Sequence, residues 1–177
     1  VKGTVNQLTC SHLEITADNR QFRLKGDVAL QDLSHPQDAY VFGTLAELTA
    51  TTRGVGFLVR NLIHDSPGVP PVLERLGHVT FRGEVSGYFT DIVTYGQLHT
   101  DLGGVNMDLK LSSDKSKGLF AYSGAVKTTD YKLGKLLANE QLGEITFNLD
   151  VHGRHVTDRL PVVELKGLIA SVDYSRY

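Results

Sequence analysis

"VTFRGEVSGYF", Val79 to Phe89, places Val79, Phe81, Val85 and Phe89 at alternate positions, with Thr80, Arg82, Glu84 and Tyr88 on the opposite parity. Successive side chains of a strand point to opposite faces, so this stretch is a strand with one apolar and one wet face. The division recurs on either side. Upstream, Phe22, Leu24, Val28 and Leu30 oppose Arg23, Lys25 and Asp27; downstream, Ile145, Phe147, Leu149 and Val151 oppose Thr146, Asn148, Asp150 and His152. Strands of parallel sheets, buried on both faces, read instead as unbroken apolar runs. The fold class expected is mainly β, built on an antiparallel sheet.

Helical signals are few and short. "TTRGVGFLVRNLI" offers Thr52 as an N-cap and sets Val55, Leu58, Val59 and Leu62 at helical spacing, interrupted by Gly54 and Gly56. "PPVLERLG" has proline where a first turn tolerates it and Gly77 where a helix would stop. "DYKLGKLLAN", Asp130 to Asn139, has room for about two turns. These predict two or three short connecting helices packed on the sheet. "DSPGVPP", Asp65 to Pro71, denies both regular ladders and is expected as a loop.

The 177 residues, 41% hydrophobic and 21% charged, suffice for one sizeable core, and the strands before and after that loop share one pattern. Residues 1–177 are therefore expected as a single folded unit, one continuous domain. A net charge of -2 offers no basic stripe for phosphates, which argues against nucleic acid as a partner. The single cysteine, Cys10, has no internal disulfide partner and leaves the compartment undecided. No run of about 18 apolar residues and no charged-then-apolar leader occurs. Because strand-like pattern is already running at Val1 and continues to Tyr177, the chain is expected to be a piece of a longer protein.

Glycine recurs inside these strands as apolar-x-Gly-x-apolar: Val1-Gly3-Val5, Leu24-Gly26-Val28, Val41-Gly43-Leu45, Phe81-Gly83-Val85, Tyr122-Gly124-Val126 and Leu165-Gly167-Ile169. Gly3, Gly43, Gly83, Gly124 and Gly167 are each about 40 residues apart, a spacing to test as a repeat. In strands, glycine marks bulges, bends or close backbone approach. On the apolar face it also leaves a shallow trough between larger neighbours. A sheet curled about that face would make the trough concave. Past Gly167, residues Leu168, Ala170, Val172 and Tyr174 take the other parity, so a bulge near Gly167 is expected to keep them on the apolar face.

The ordered set "LKGDVALQDL", "FRGEVSGYFTDIVTYGQLHTDLGGVNMDLKL", "YSGAVKTTDYKLGKLLANEQLGEITFNLDVHG" and "LKGLIASVDYSRY" resembles the periplasmic body of TamB-like proteins, within the broader AsmA-like group, of the kind found in Bacteroidota. The resemblance covers most of the chain. It implies a long curled antiparallel sheet, a β-taco or clamp, with an apolar concave face open at its ends. It further implies a parent protein anchored in the inner membrane, a periplasmic location, and passage of phospholipid between inner and outer membranes in support of outer-membrane biogenesis. By the same resemblance, acyl chains would contact Leu24, Val28, Phe81, Val85, Phe89, Val126, Phe147, Leu149, Leu165 and Ile169, while Gly3, Gly26, Gly43, Gly83, Gly124 and Gly167 bend or floor the groove. An outer-membrane assembly protein of the BamA/TamA type is an implied partner, bound through other parts of the parent. The chain would be a middle section of the bridge. An ordinary closed core would use the same apolar residues.

Catalytic and metal chemistry has little support. Cys10 and His12 lie two apart and His152 and His155 three apart, without further ligands at zinc spacing. Asp91, Asp101 and Asp108 fit turns and wet faces, no Gly-x-Ser-x-Gly elbow occurs, and "GVGFLV" lacks the context of a dinucleotide fingerprint. Neither enzymatic activity nor a cofactor or metal is expected. Besides a lipid-conducting bridge, two readings stay open: an assembly module pairing its free edges with client strands, and a passive β-domain of a surface or matrix protein.

Overall fold

The structure is a computed structural model that describes residues 2–4, 6–17, 21–35, 38–54, 74–114, 118–156 and 162–174. The strands are β1 (Lys2–Thr4), β2 (Gln7–Ala17), β3 (Phe22–Gln31), β4 (Tyr40–Ala50), β5 (Val79–Tyr88), β6 (Asp91–Thr100), β7 (Gly103–Asp114), β8 (Leu119–Tyr131), β9 (Leu142–Val156) and β10 (Val162–Tyr174). They form one sheet in strict sequence order, every neighbour antiparallel. The sheet does not close into a barrel. The mainly β class read from alternation is what the chain adopts.

One helix, α1 (Leu133–Leu137), lies within the expected Asp130–Asn139 stretch and is shorter. Ala138 ends it in the left-handed conformation, and the Asn139 N–H returns to the Gly134 carbonyl. A helical turn occupies 52–54; its cap is Thr51, whose hydroxyl accepts the Gly54 N–H at 3.3 Å, one residue before the expected Thr52. The rest of that candidate helix, the first half of "PPVLERLG" and the loop at Asp65–Pro71 lie outside the described residues; Gly77, the expected stop of "PPVLERLG", has a φ of +69°.

Bulges keep the strands two-faced. Apolar parity switches between Cys10 and Leu13, Leu45 and Leu48, Thr128 and Tyr131, and Ile169 and Val172, and a register shift sits at each switch. An extra residue in one strand turns the following side chains back to the first face. At two of these bulges a positive-φ residue gives its N–H to the next strand: His12 to Asp27 Oδ1 at 2.7 Å, Asp130 to Thr146 Oγ1 at 3.0 Å. The bulge expected near Gly167 lies farther along, after Ile169. Val172 and Tyr174 do rejoin the apolar face, whereas Leu168 sits opposite Asn148 on the other face and is exposed.

The buried cluster lies at one rim, where β6 turns into β7 and β8 into β9. Leu102, Tyr131 and Ile145 are 5%, 6% and 7% exposed, and Leu76, Leu133, Leu136, Val105 and Phe147 pack against them. Residues from three separate connections thus close this rim. Beside it, Thr128 is the one polar residue buried among the described residues, its hydroxyl donating to the Gly104 carbonyl at 2.6 Å. Thr128→Val keeps the shape and strands that carbonyl. Denaturant unfolding is expected to show a loss of about 1–3 kcal/mol.

Candidate functional site

Cross-strand pairing assembles the apolar residues of β2 to β10 into rows that run across the sheet. One row is Leu13, Gly26, Leu45, Gly83, Gly96, Met107, Val126, Leu149 and Gly167, each directly opposite the next on the adjoining strand. Toward the closed rim lie Ile15, Leu24, Leu48, Phe81, Leu98, Val105, Thr128, Phe147 and Ile169; toward the other rim lie Cys10, Val28, Gly43, Val85, Thr94, Leu109, Gly124, Val151 and Leu165. No Asp, Glu, Lys or Arg occurs in these rows. The charged side chains of the same strands face the other way, where Glu14 meets Arg23 at 2.6 Å, Asp91 meets Lys110 at 3.0 Å and Lys166 meets Glu164 at 2.8 Å. The Arg23 guanidinium bonded to Glu14 holds that carboxyl below its usual range, and Lys110, then Ser112, do the same for Asp91.

Nine of the ten residues expected to line a groove stand on this face: Leu24, Val28, Phe81, Val85, Val126, Phe147, Leu149, Leu165 and Ile169. Phe89 does not join them, because β5 ends at Tyr88 and Phe89 lies exposed in the turn to β6. The face is half covered rather than sealed. In the three central rows only the side chains of Cys10, Leu45, Phe81 and Thr128 are buried, at 9%, 8%, 8% and 2% exposure, and among the described residues no large side chain is completely buried. On β10 the face lies open: Leu165 and Ile169 are 57% and 53% exposed.

The six glycines singled out all pair along this face, but the spacing of about 40 residues does not put them in one row. Gly3 pairs with Leu8 near the open rim, Gly43 and Gly124 share a second row, and Gly26, Gly83 and Gly167 share a third. Gly96 completes that third row and was hidden in the sequence because Thr94 replaces its apolar flank. Two structural jobs separate them. The Phe81 ring lies over Gly83 and Gly96, its Cζ 2.9 and 2.8 Å from where their Cβ atoms would be, so the space left by this pair is taken by an aromatic ring. Gly124 and Gly167 have no ring above them and hold φ of +142° and +143°, a conformation that side chains resist; there, as at Gly83 and Gly96, a neighbouring backbone comes within 3.0 Å of the Cβ position.

The polar candidates fall apart on the sheet. Position 152 pairs with Ser123 and position 155 with Phe120, so a spacing of three puts His152 and His155 on opposite faces. Cys10 is buried on the apolar face while His12 occupies a bulge. Asp91 pairs with Lys110 and Ser112, Asp101 accepts the His78 N–H at 3.0 Å, and Asp108 stands opposite Tyr95. Among the described residues no three His, Cys, Asp or Glu side chains come together as a metal site, and no helix is long and apolar enough to cross a membrane. No family model matches the chain, and neither a curated protein nor a solved structure is detectably similar to it.

Proposed function

We propose that this chain is a segment of a TamB-like periplasmic bridge, anchored elsewhere in the inner membrane, that carries phospholipid acyl chains along its apolar face toward the outer membrane. The observation that carries the reading is the uncharged face running unbroken from β2 to β10 without being sealed. Covering hydrocarbon contributes about 0.8 kcal/mol per methylene, so about ten methylenes laid on such a face gain about 8 kcal/mol before ordering costs. Rows of Val, Leu, Ile, Met and small residues offer similar contact at each strand, which favours sliding over capture. The resemblance in sequence supplies the membranes at either end.

Purification without detergent, followed by lipid extraction and mass spectrometry, tests this. Co-purifying phospholipid is the expected result; a protein free of lipid that also takes none from vesicles contradicts it. One observation favours a second reading, an assembly module for outer-membrane proteins, which would involve a partner of the BamA/TamA type. Among the described residues β10 pairs with β9 alone, and every one of its own residues is exposed, as in an edge that takes up a further strand. Cross-links from the β10 backbone to outer-membrane proteins, with no lipid bound, would select it.

A further inference from the structure

The polar face of the sheet carries a surface feature of its own, away from the apolar rows. On it Glu84, Tyr95 and Asp108 stand directly opposite one another on β5, β6 and β7, and Arg82, Gln97 and Asn106 form the next row. Tyr95 is 65% exposed, the most exposed aromatic side chain among the described residues. One row further, His99 stands opposite Gly104. The β7–β8 ladder begins only at Val105 and Thr128, and β8 bulges just after, so Gly104 has no cross-strand partner on β8. A glycine with no strand paired beside it leaves a hollow of about 210 Å³, lined by Gln97, His99, Gly104, Val105, Asn106 and Thr129.

We infer that this strip binds an uncharged oligosaccharide, with one sugar ring stacked on Tyr95 and a substituent of a neighbouring ring in the hollow. The C–H face of a pyranose is apolar and flat, and an exposed phenol ring matches it. Gln97 and Asn106 each donate and accept, Glu84 and Asp108 accept, and His99 does either, the mixture that a ring of hydroxyl groups requires. Among the described residues none of these side chains is engaged in a hydrogen bond or ion pair elsewhere in the chain. From Tyr95 to His99 the strip runs about 14 Å at ~3.4 Å per residue, room for a short oligosaccharide. The hollow is smaller than the ~300–1,000 Å³ that encloses a whole ligand, so it holds a substituent while the rest of the sugar lies on the sheet. Charge and topology disfavour other partners. Carboxylates on both sides of Tyr95 repel phosphate, and with it nucleic acid and phospholipid headgroups. A peptide finds no strand edge to extend, since β5, β6 and β7 are each paired on both sides. The strip lies on the face opposite the lipid rows, and neither site depends on the other.

Isothermal titration of the unaltered chain with chitohexaose and with cellohexaose, neutral chains that differ in their acetamido groups, tests the site. At least one is expected to bind with a Kd in the millimolar range or tighter. Tyr95→Ala should weaken that binding at least about tenfold. Gly104→Val, whose Cβ would stand 3.1 Å from His99 Nδ1, fills the hollow and should weaken it similarly. Phe42→Ala, which removes another exposed ring from the same face two strands away, should leave binding within about twofold. The thermal transition of each variant shows that it is folded, and the surface change Tyr95→Ala decides the matter if Gly104→Val does not fold. Failure of both glycans to bind, binding that survives Tyr95→Ala, or binding of heparin or of tetralysine in place of the neutral chains overturns the assignment.

Discussion

Gly124→Val is expected to destabilise the protein by about 3–5 kcal/mol, a large part of the 5–15 kcal/mol that typically separates folded from unfolded chains. Gly124 sits in the middle of β8 between Leu109 and Val151 with φ of +142°, a conformation that β-branched residues resist. Strain there costs about 1–3 kcal/mol. A Cβ would also run into the Asp108 carbonyl and stand 3.0 Å from Leu109 Cα, so neighbouring backbone has to move as well. Gly43, in the same row, is the comparison. Its φ is not positive, and an added Cβ would meet Val28 Cγ2 at an ordinary 3.6 Å, so Gly43→Ala should lie within about 0.5 kcal/mol of the original. Urea unfolding of both variants checks the pair. Equal costs would mean that the positive φ and close backbone at Gly124 do not demand a glycine.

Met107→Asp is expected to abolish lipid binding while leaving the fold in place. Met107 is half-buried between Gly96 and Val126, at the centre of the uncharged face. In a sealed core, an unpaired carboxylate at that position would cost several kcal/mol and unfold a marginal protein. On an open face, water solvates it as long as no acyl chain lies above. Lipid, by contrast, has to displace that water, so retention should fall at least about tenfold. Asn106→Asp, one residue earlier and directed to the exposed polar face, should leave retention unchanged. Retention is measured by counting lipid per protein after vesicle incubation, and folding by the thermal transition. Loss of the transition in Met107→Asp with normal behaviour of Asn106→Asp points to a closed core.

Much of this architecture was legible in the alternation itself. The parities of Phe22 to Leu30, Val79 to Val85 and Ile145 to Val151 place those residues as they stand in the sheet, because side-chain direction in a strand is local. Bulges were harder. At β10 the switch in apolar parity was visible, yet Gly167 keeps its pairing with Leu149 and the register slips only after Ile169. A glycine signals that a strand bends; where the extra residue goes is decided by the partner strand. Phe89 followed the parity of β5 past its end, since alternation carries no mark of a tight turn. The trough reading of the glycines divided once cross-strand partners were known: Gly83 and Gly96 receive the Phe81 ring, while Gly124 and Gly167 supply a φ of +142° and +143°. Least legible was the closed rim. Leu76, Leu102, Leu133 and Leu136 come from three connections, and nothing in any one of them announces the other two.

The chain contains no tryptophan, so a single introduced indole reports on one place without background. Val126→Trp puts it on the apolar face and Lys127→Trp, one residue on, puts it on the polar face. With vesicles of phosphatidylcholine brominated along the acyl chains, fluorescence of the Val126→Trp protein is expected to be quenched strongly and that of Lys127→Trp hardly at all. Equal fluorescence with brominated and unbrominated lipid in the Val126→Trp protein, its fold intact, would contradict the claim that this face takes hydrocarbon.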